Sequence, residues 1–122
     1  MGCQTICRYL ETLPDGVRIG GAIFVAGFFK HLNDSGYDSD DKETENHWLS
    51  RPIDFAKIRS HINKSVAIFS KDDPDVPLDN NEDFKTELGA EIIILNGYKH
   101  FTGEAGIKEL PIVLEKLLEM TK

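Results

Sequence analysis

Residues Ser65–Pro77 read SVAIFSKDDPDVP, an apolar run that ends in an acidic turn punctuated by two prolines. The run Val66, Ala67, Ile68, Phe69 is β-rich and does not alternate with polar residues, which predicts a strand covered on both faces at the centre of a sheet. Pro74 and Pro77 stop that strand and leave Asp72 and Asp73 at its carboxyl end, where open α/β sheets hold their ligands. The next apolar run, Glu91–Leu95 (EIIIL), leads into Gly97-Tyr98-Lys99-His100-Phe101-Thr102-Gly103, placing a histidine just past a second strand. An acid after one strand and a histidine after the next is the order of the last two members of a Ser-Asp-His set.

Outward from this centre the chain alternates strand and helix. On the amino-terminal side, Cys3, Ile6, Cys7 and Leu10 recur at helical spacing and stop at the turn Pro14-Asp15-Gly16. The segment 20–28 (GGAIFVAGF) predicts a buried strand whose small residues Ala26 and Gly27 admit a close neighbour at its end. Segment 33–46 holds six acids, one lysine and no aliphatic residue, and is read as a solvated loop. A calcium loop beginning at Asp38 is rejected, because Glu43 and Leu49 stand where glycine and glutamate are needed. Trp48, Leu49, Pro52 and Ile53 return the chain to the core, and Phe55, Ile58 and Ile62 space as a helix that Asp54 caps. Beyond the acidic turn, 79–88 reads as a helix ended by Gly89, and Leu110, Val113, Leu114, Leu117 and Leu118 mark a closing amphipathic helix. The expected architecture is α/β, three-layered, with about three parallel strands flanked by four helices.

At 122 residues the chain is expected to be a single domain, 1–122. The formal charge of −7 with a pI near 5.0 leaves no basic stripe for a nucleic acid or an anionic membrane. The longest apolar stretch, 22–29, is far shorter than the roughly 20 residues of a membrane span, so no membrane partner is expected. Cys3 and Cys7 sit on one helix face and close no useful loop, which points to core thiols in a reducing, cytoplasmic setting. The reading calls for no cofactor and no metal.

Taken singly, Asp73 is explained as a turn-forming acid beside proline and His100 as a loop histidine. Jointly, after successive parallel strands and in the required order, they are the candidate catalytic acid and base, because a triad carboxylate fixes the histidine tautomer and stabilises the imidazolium. Asp73 is therefore expected to approach a ring nitrogen of His100, with Asp72 as its chief competitor and otherwise a solvated neighbour like Asp75 and Asp79. His31, His47 and His61 are expected in surface or capping roles. No residue lies in G-x-S-x-G. Met1-Gly2 runs straight into the first helix, so an elbow serine would be the residue before Met1.

The segments Ser35-Gly36-Tyr37, Arg51-Pro52-Ile53-Asp54-Phe55-Ala56-Lys57-Ile58, Ser70-Lys71-Asp72-Asp73-Pro74-Asp75-Val76-Pro77 and Lys99-His100-Phe101 resemble the small serine hydrolases of the YdeN and retinoblastoma-binding protein nine family. The resemblance implies the C-terminal portion of an α/β-hydrolase, with the first strands and the serine elbow outside these residues. It implies Asp73 as triad acid, His100 as triad base and a small acyl ester as substrate. Two departures stand out: Lys99 precedes the histidine where the family tends to glycine, and the acidic stretch 38–46 lengthens the link after Tyr37. The expectation is thus a carboxylesterase-like serine hydrolase, incomplete and inactive alone. The rival is a non-catalytic interaction module that retains the fold. An acylated Met1-Gly2-Cys3 terminus, a Cys3 nucleophile and a dinucleotide turn at Gly20-Gly21 are weaker readings of the same residues. Strand 22–25 is expected at a sheet edge, open to self-association.

Overall fold

The computed structural model describes residues 1–30, 32–33 and 39–122. In chain order the elements are α1 (Gly2–Glu11), β1 (Ala22–Val25), α2 (Ser39–Leu49), α3 (Phe55–His61), β2 (Ser65–Ser70), α4 (Asn80–Leu88), β3 (Glu91–Leu95) and α5 (Pro111–Met120). The three strands form a parallel sheet in the order β1-β2-β3, with Val25 opposite Ile68 and Ser70 opposite Leu95. This is the expected α/β-hydrolase-like architecture, a small parallel sheet flanked by helices. β2 is central and buried from Val66 to Ser70, as its uninterrupted apolar run requires. β1 lies at an edge.

Side-chain alternation along β2 divides the core. Ala67 and Phe69 join Phe24 of β1 in a cluster with Cys7 and Leu10 of α1, Ile58 of α3, and Phe84 and Leu88 of α4. Phe84 is its centre, with ring centroids 5.3 Å from Phe24, 4.4 Å from Phe29 and 5.5 Å from Phe69. No residue of α5 belongs to this cluster; that helix packs against β1 and leaves Leu114, Leu117 and Leu118 exposed. Among the described residues no helix is long and apolar enough to cross a membrane.

Local chemistry sets the helix ends. The Asp54 carboxylate caps α3 by accepting the Lys57 amide at 3.0 Å, and Gly89 ends α4 at φ +65°. Three expectations are corrected. Among the described residues there are five helices, not four, because most of the acidic stretch 33–46 read as loop belongs to α2. This helix is anchored through Glu45, which is buried, accepts the Leu32 amide at 2.8 Å and pairs with Lys42 at 3.6 Å. The strand read over 20–28 is shorter, because Ala26 turns out of it at φ +50°. His61 is buried rather than superficial, its Nδ1 lying 2.6 Å from the Val17 carbonyl. His31, the Ser35-Gly36-Tyr37 segment and Asp38 lie outside the described residues.

Gly27, at the exit of β1, lets α1 and α4 close over the strand: a Cβ there would lie 2.5 Å from Phe84 Cζ and 2.9 Å from Cys3 Sγ. Gly27→Ala is therefore expected to lower unfolding stability by about 1–3 kcal/mol through overpacking. A denaturation midpoint equal to that of the parent chain contradicts this packing.

Candidate active site

The acidic turn is built around Asp73. Its Oδ1 accepts the backbone amides of Asp75 at 2.8 Å and Val76 at 3.0 Å, an Asx turn that folds the chain back on itself after β2. Its Oδ2 lies 3.0 Å from His100 Nδ1, across a sequence separation of 27. The Asp73 side chain is only 4 % exposed and that of His100 36 %, so the acid is buried behind a ring that remains partly accessible. Since a carboxylate only accepts, a neutral His100 carries its proton on Nδ1, leaving Nε2 free to take another. The hydrogen bond to Asp73 raises the His100 pKa above the ordinary histidine value; partial burial opposes this, and the charges of Asp73 and Asp75 reinforce it.

Asp72 faces elsewhere. Its Oδ1 accepts the Ser70 hydroxyl at 2.5 Å, the Gly97 amide at 3.2 Å and the Lys99 amide at 3.0 Å, and Ser70 Oγ in turn accepts the Tyr98 amide at 3.1 Å. The Ser70 hydroxyl, then the Lys99 amide, holds the Asp72 carboxyl below the usual carboxylate range. Asp72 is thus no idle solvated neighbour: it ties the end of β2 to the backbone that precedes His100. Sequence reading missed this role because the backbone amides of Gly97 and Lys99 that Asp72 accepts come from a distant turn that nothing beside Asp72 announces. It also missed Asn80, fully buried, whose Oδ1 accepts the amides of Phe29 and Lys30 and whose Nδ2 donates to Pro77, joining the exit of β1 to the acidic turn.

The histidine turn is strained. Lys99 and Phe101 flank His100 at φ +49° and +59°, and Ala26 makes a third non-glycine residue in the left-handed region. The turn is braced by the Phe101 amide donating to Tyr98 O at 2.9 Å and by the stacked rings of Tyr98 and Phe101, 5.7 Å apart.

Two cavities flank the His100 ring. One, of about 260 Å³, is walled by Ala26, Phe28, Leu32 and Val76 with Asp75 and Met1. The other, of about 340 Å³, runs past Met1, Gly2, Cys3 and Ile6 along Ile23 and Val25 of the edge strand. A larger one of about 380 Å³ lies at the amino ends of β2 and β3, by Ser65 and Glu91, and contains neither Asp73 nor His100. Cys3 shares a cavity with His100, but its thiol donates toward Val25 O at 3.6 Å and burial pushes its pKa up, the opposite of what a thiolate nucleophile needs. Burial pushes Cys7 up to about 12. Asp73, Asp75 and His100 each offer a donor atom within 4.8 Å of the others, so these are the residues at the site able to hold a metal ion. As arranged, the Asp73 and His100 atoms already bond one another.

Comparison with known proteins gives this geometry a context. The profile of a family described as Serine hydrolase matches residues 1–119. The chain is 30 % identical over 117 residues to YdeN of Bacillus subtilis (strain 168), whose name describes it as a hydrolase; the match covers 96 % of this chain and 58 % of that protein. The crystal structure of the ydeN gene product from B. subtilis aligns with a TM-score of 0.84 at 29 % identity, over 98 % of this chain and 61 % of that one. The chain therefore spans about three-fifths of the length of the relative it matches.

The left-handed backbone at Lys99 explains why glycine suits that position. Lys99→Gly is expected to raise unfolding stability by about 0.5–1 kcal/mol, the relief of left-handed strain exceeding the added chain entropy, while the β-branched Lys99→Val lowers it by more than about 1 kcal/mol. Equal midpoints for the two variants contradict a strained turn.

Proposed function

Because the chain belongs to the serine hydrolase family, we propose that Asp73 and His100 are the acid and base of a Ser-Asp-His carboxylesterase whose serine lies outside these 122 residues. The observation that carries the reading is the 3.0 Å contact of a buried carboxylate with Nδ1 of a partly exposed histidine that lines two cavities. In such a set the serine hydroxyl attacks the ester carbonyl as the histidine takes its proton, and the buried aspartate stabilises the resulting imidazolium. The imidazolium then protonates the leaving alcohol, and water repeats the cycle on the acyl-enzyme. Met1 lines both cavities at His100, so a serine joined directly to Met1 would reach the ring, with the Met1 amide available to the developing oxyanion. Ala26, Phe28, Leu32 and Val76 offer a small apolar wall suited to a short acyl group. On this reading 1–122 is one domain, the C-terminal portion of a hydrolase working in the cytoplasm. The open edge of β1 and the exposed leucines of α5 are where further strands and a helix pack, or where isolated chains self-associate.

The test is to extend the chain with a strand ending in Gly-x-Ser joined to Met1-Gly2 and to assay a short p-nitrophenyl ester. Hydrolysis is expected only in the extended protein, rising with pH as His100 loses its proton above the ordinary histidine range. His100→Ala is expected to lower it by about 10³-fold or more. Hydrolysis that survives His100→Ala or Asp73→Asn contradicts the assignment.

A further inference from the structure

A cavity of about 300 Å³, sharing no lining residue with the two beside His100, opens between α1, the end of α2, the start of α3 and the side of α4 that carries Asp83 and Glu87. Phe29, Trp48, Ile53 and Phe55 form its apolar wall, with Phe29 and Phe55 edge to face at 5.0 Å. The wall is fixed from behind by Arg8 of α1, which donates to the carbonyls of Trp48 at 3.4 Å, Arg51 at 2.6 Å and Pro52 at 2.8 Å.

One polar group in this wall is unspent. Gln4, 1 % exposed, donates through Nε2 to Phe28 O at 2.7 Å, which fixes the orientation of its amide. Its buried Oε1 has no hydrogen-bond partner among the described residues. A buried acceptor left unpaired is costly, and a ligand that supplies a donor there removes that cost. The charged lining is balanced, Lys30 and Arg51 against Asp83 and Glu87, and so selects no ion. Apolar cavities of about 150 Å³ already admit benzene, so this one has room for a substituted ring.

We propose that this cavity binds a small neutral aromatic molecule bearing one hydrogen-bond donor, its ring against Phe29, Trp48 and Phe55 and its donor on Gln4 Oε1. This assignment does not depend on the hydrolase reading of Asp73 and His100. Since Gln4 also holds the Phe28 carbonyl, and Phe28 lines a cavity at His100, an occupant would sit one hydrogen bond from the wall of the candidate active site.

Trp48 is the sole tryptophan, so its indole N–H resonance reports on this cavity alone. The 122-residue chain is titrated with phenol and with anisole, the same ring with its donor methylated. Phenol is expected to shift the Trp48 signal saturably and to bind about tenfold more tightly than anisole, although anisole is the more hydrophobic. Gln4→Met is expected to abolish that preference, and Ile53→Trp, which fills the cavity, to abolish both shifts. Absence of a saturable phenol shift, anisole binding as tightly as phenol, or a preference that survives Gln4→Met overturns the proposal. Should Gln4→Met fail to fold, the phenol and anisole affinities of the parent chain decide the question.

Discussion

One carboxylate holds the site together. Asp73 uses one oxygen to close its own turn on the amides of Asp75 and Val76, and the other to receive His100. The two tasks reinforce one another, since the turn that buries the acid also fixes the direction in which its free oxygen points. Two of its acceptor sites are spent on rigid backbone donors, so the carboxylate has little freedom to follow a moving histidine. The histidine must therefore be brought to it, and its neighbour Asp72 does this by gathering the amides of Gly97 and Lys99 at the root of the His100 turn. Adjacent acids of the same kind divide the work: one fixes the backbone, the other meets the ring.

The cost of that arrangement is visible in the backbone. Lys99 and Phe101 hold left-handed conformations on either side of His100, and Ala26 does so at the exit of β1, where it lines both neighbouring cavities. Strain of this kind persists only where surrounding contacts over-determine it. Here they are the Asp72 bonds, the Tyr98–Phe101 stack and the bond from the Ala26 amide to Ile68 O at 2.8 Å. The sheet supplies the frame, because the parallel register of β2 and β3 brings Ser70 level with Leu95, and the acid and histidine turns leave the same edge.

The parts of this structure legible in the sequence are those where one physical signal dominates. The apolar runs of β2 and β3, the Asp54 cap and the Gly89 stop each have a local cause and were found where expected. So was the approach of Asp73, rather than Asp72, to His100, since Asp73 is the acid whose spacing to Val76 and Pro77 fixes the turn. The parts that were not legible depend on distant partners. The acids of α2 lack the apolar periodicity that marks a helix, and its anchor, Glu45, is a residue type almost never buried unless paired. His61 reads as a surface or capping residue until the Val17 carbonyl is brought to it, and Asn80 as a helix-start residue until Phe29 and Lys30 are.

Whether Asp73 and His100 form a working acid–base pair is tested most directly by a ¹⁵N-resolved NMR titration of the His100 ring in this chain. The neutral form is expected to be protonated at Nδ1, with a pKa above the ordinary histidine value of about 6.5 that falls in Asp73→Asn but not in Asp79→Asn. A ring protonated at Nε2 when neutral, or a pKa at or below the ordinary value that Asp73→Asn leaves unmoved, would contradict it.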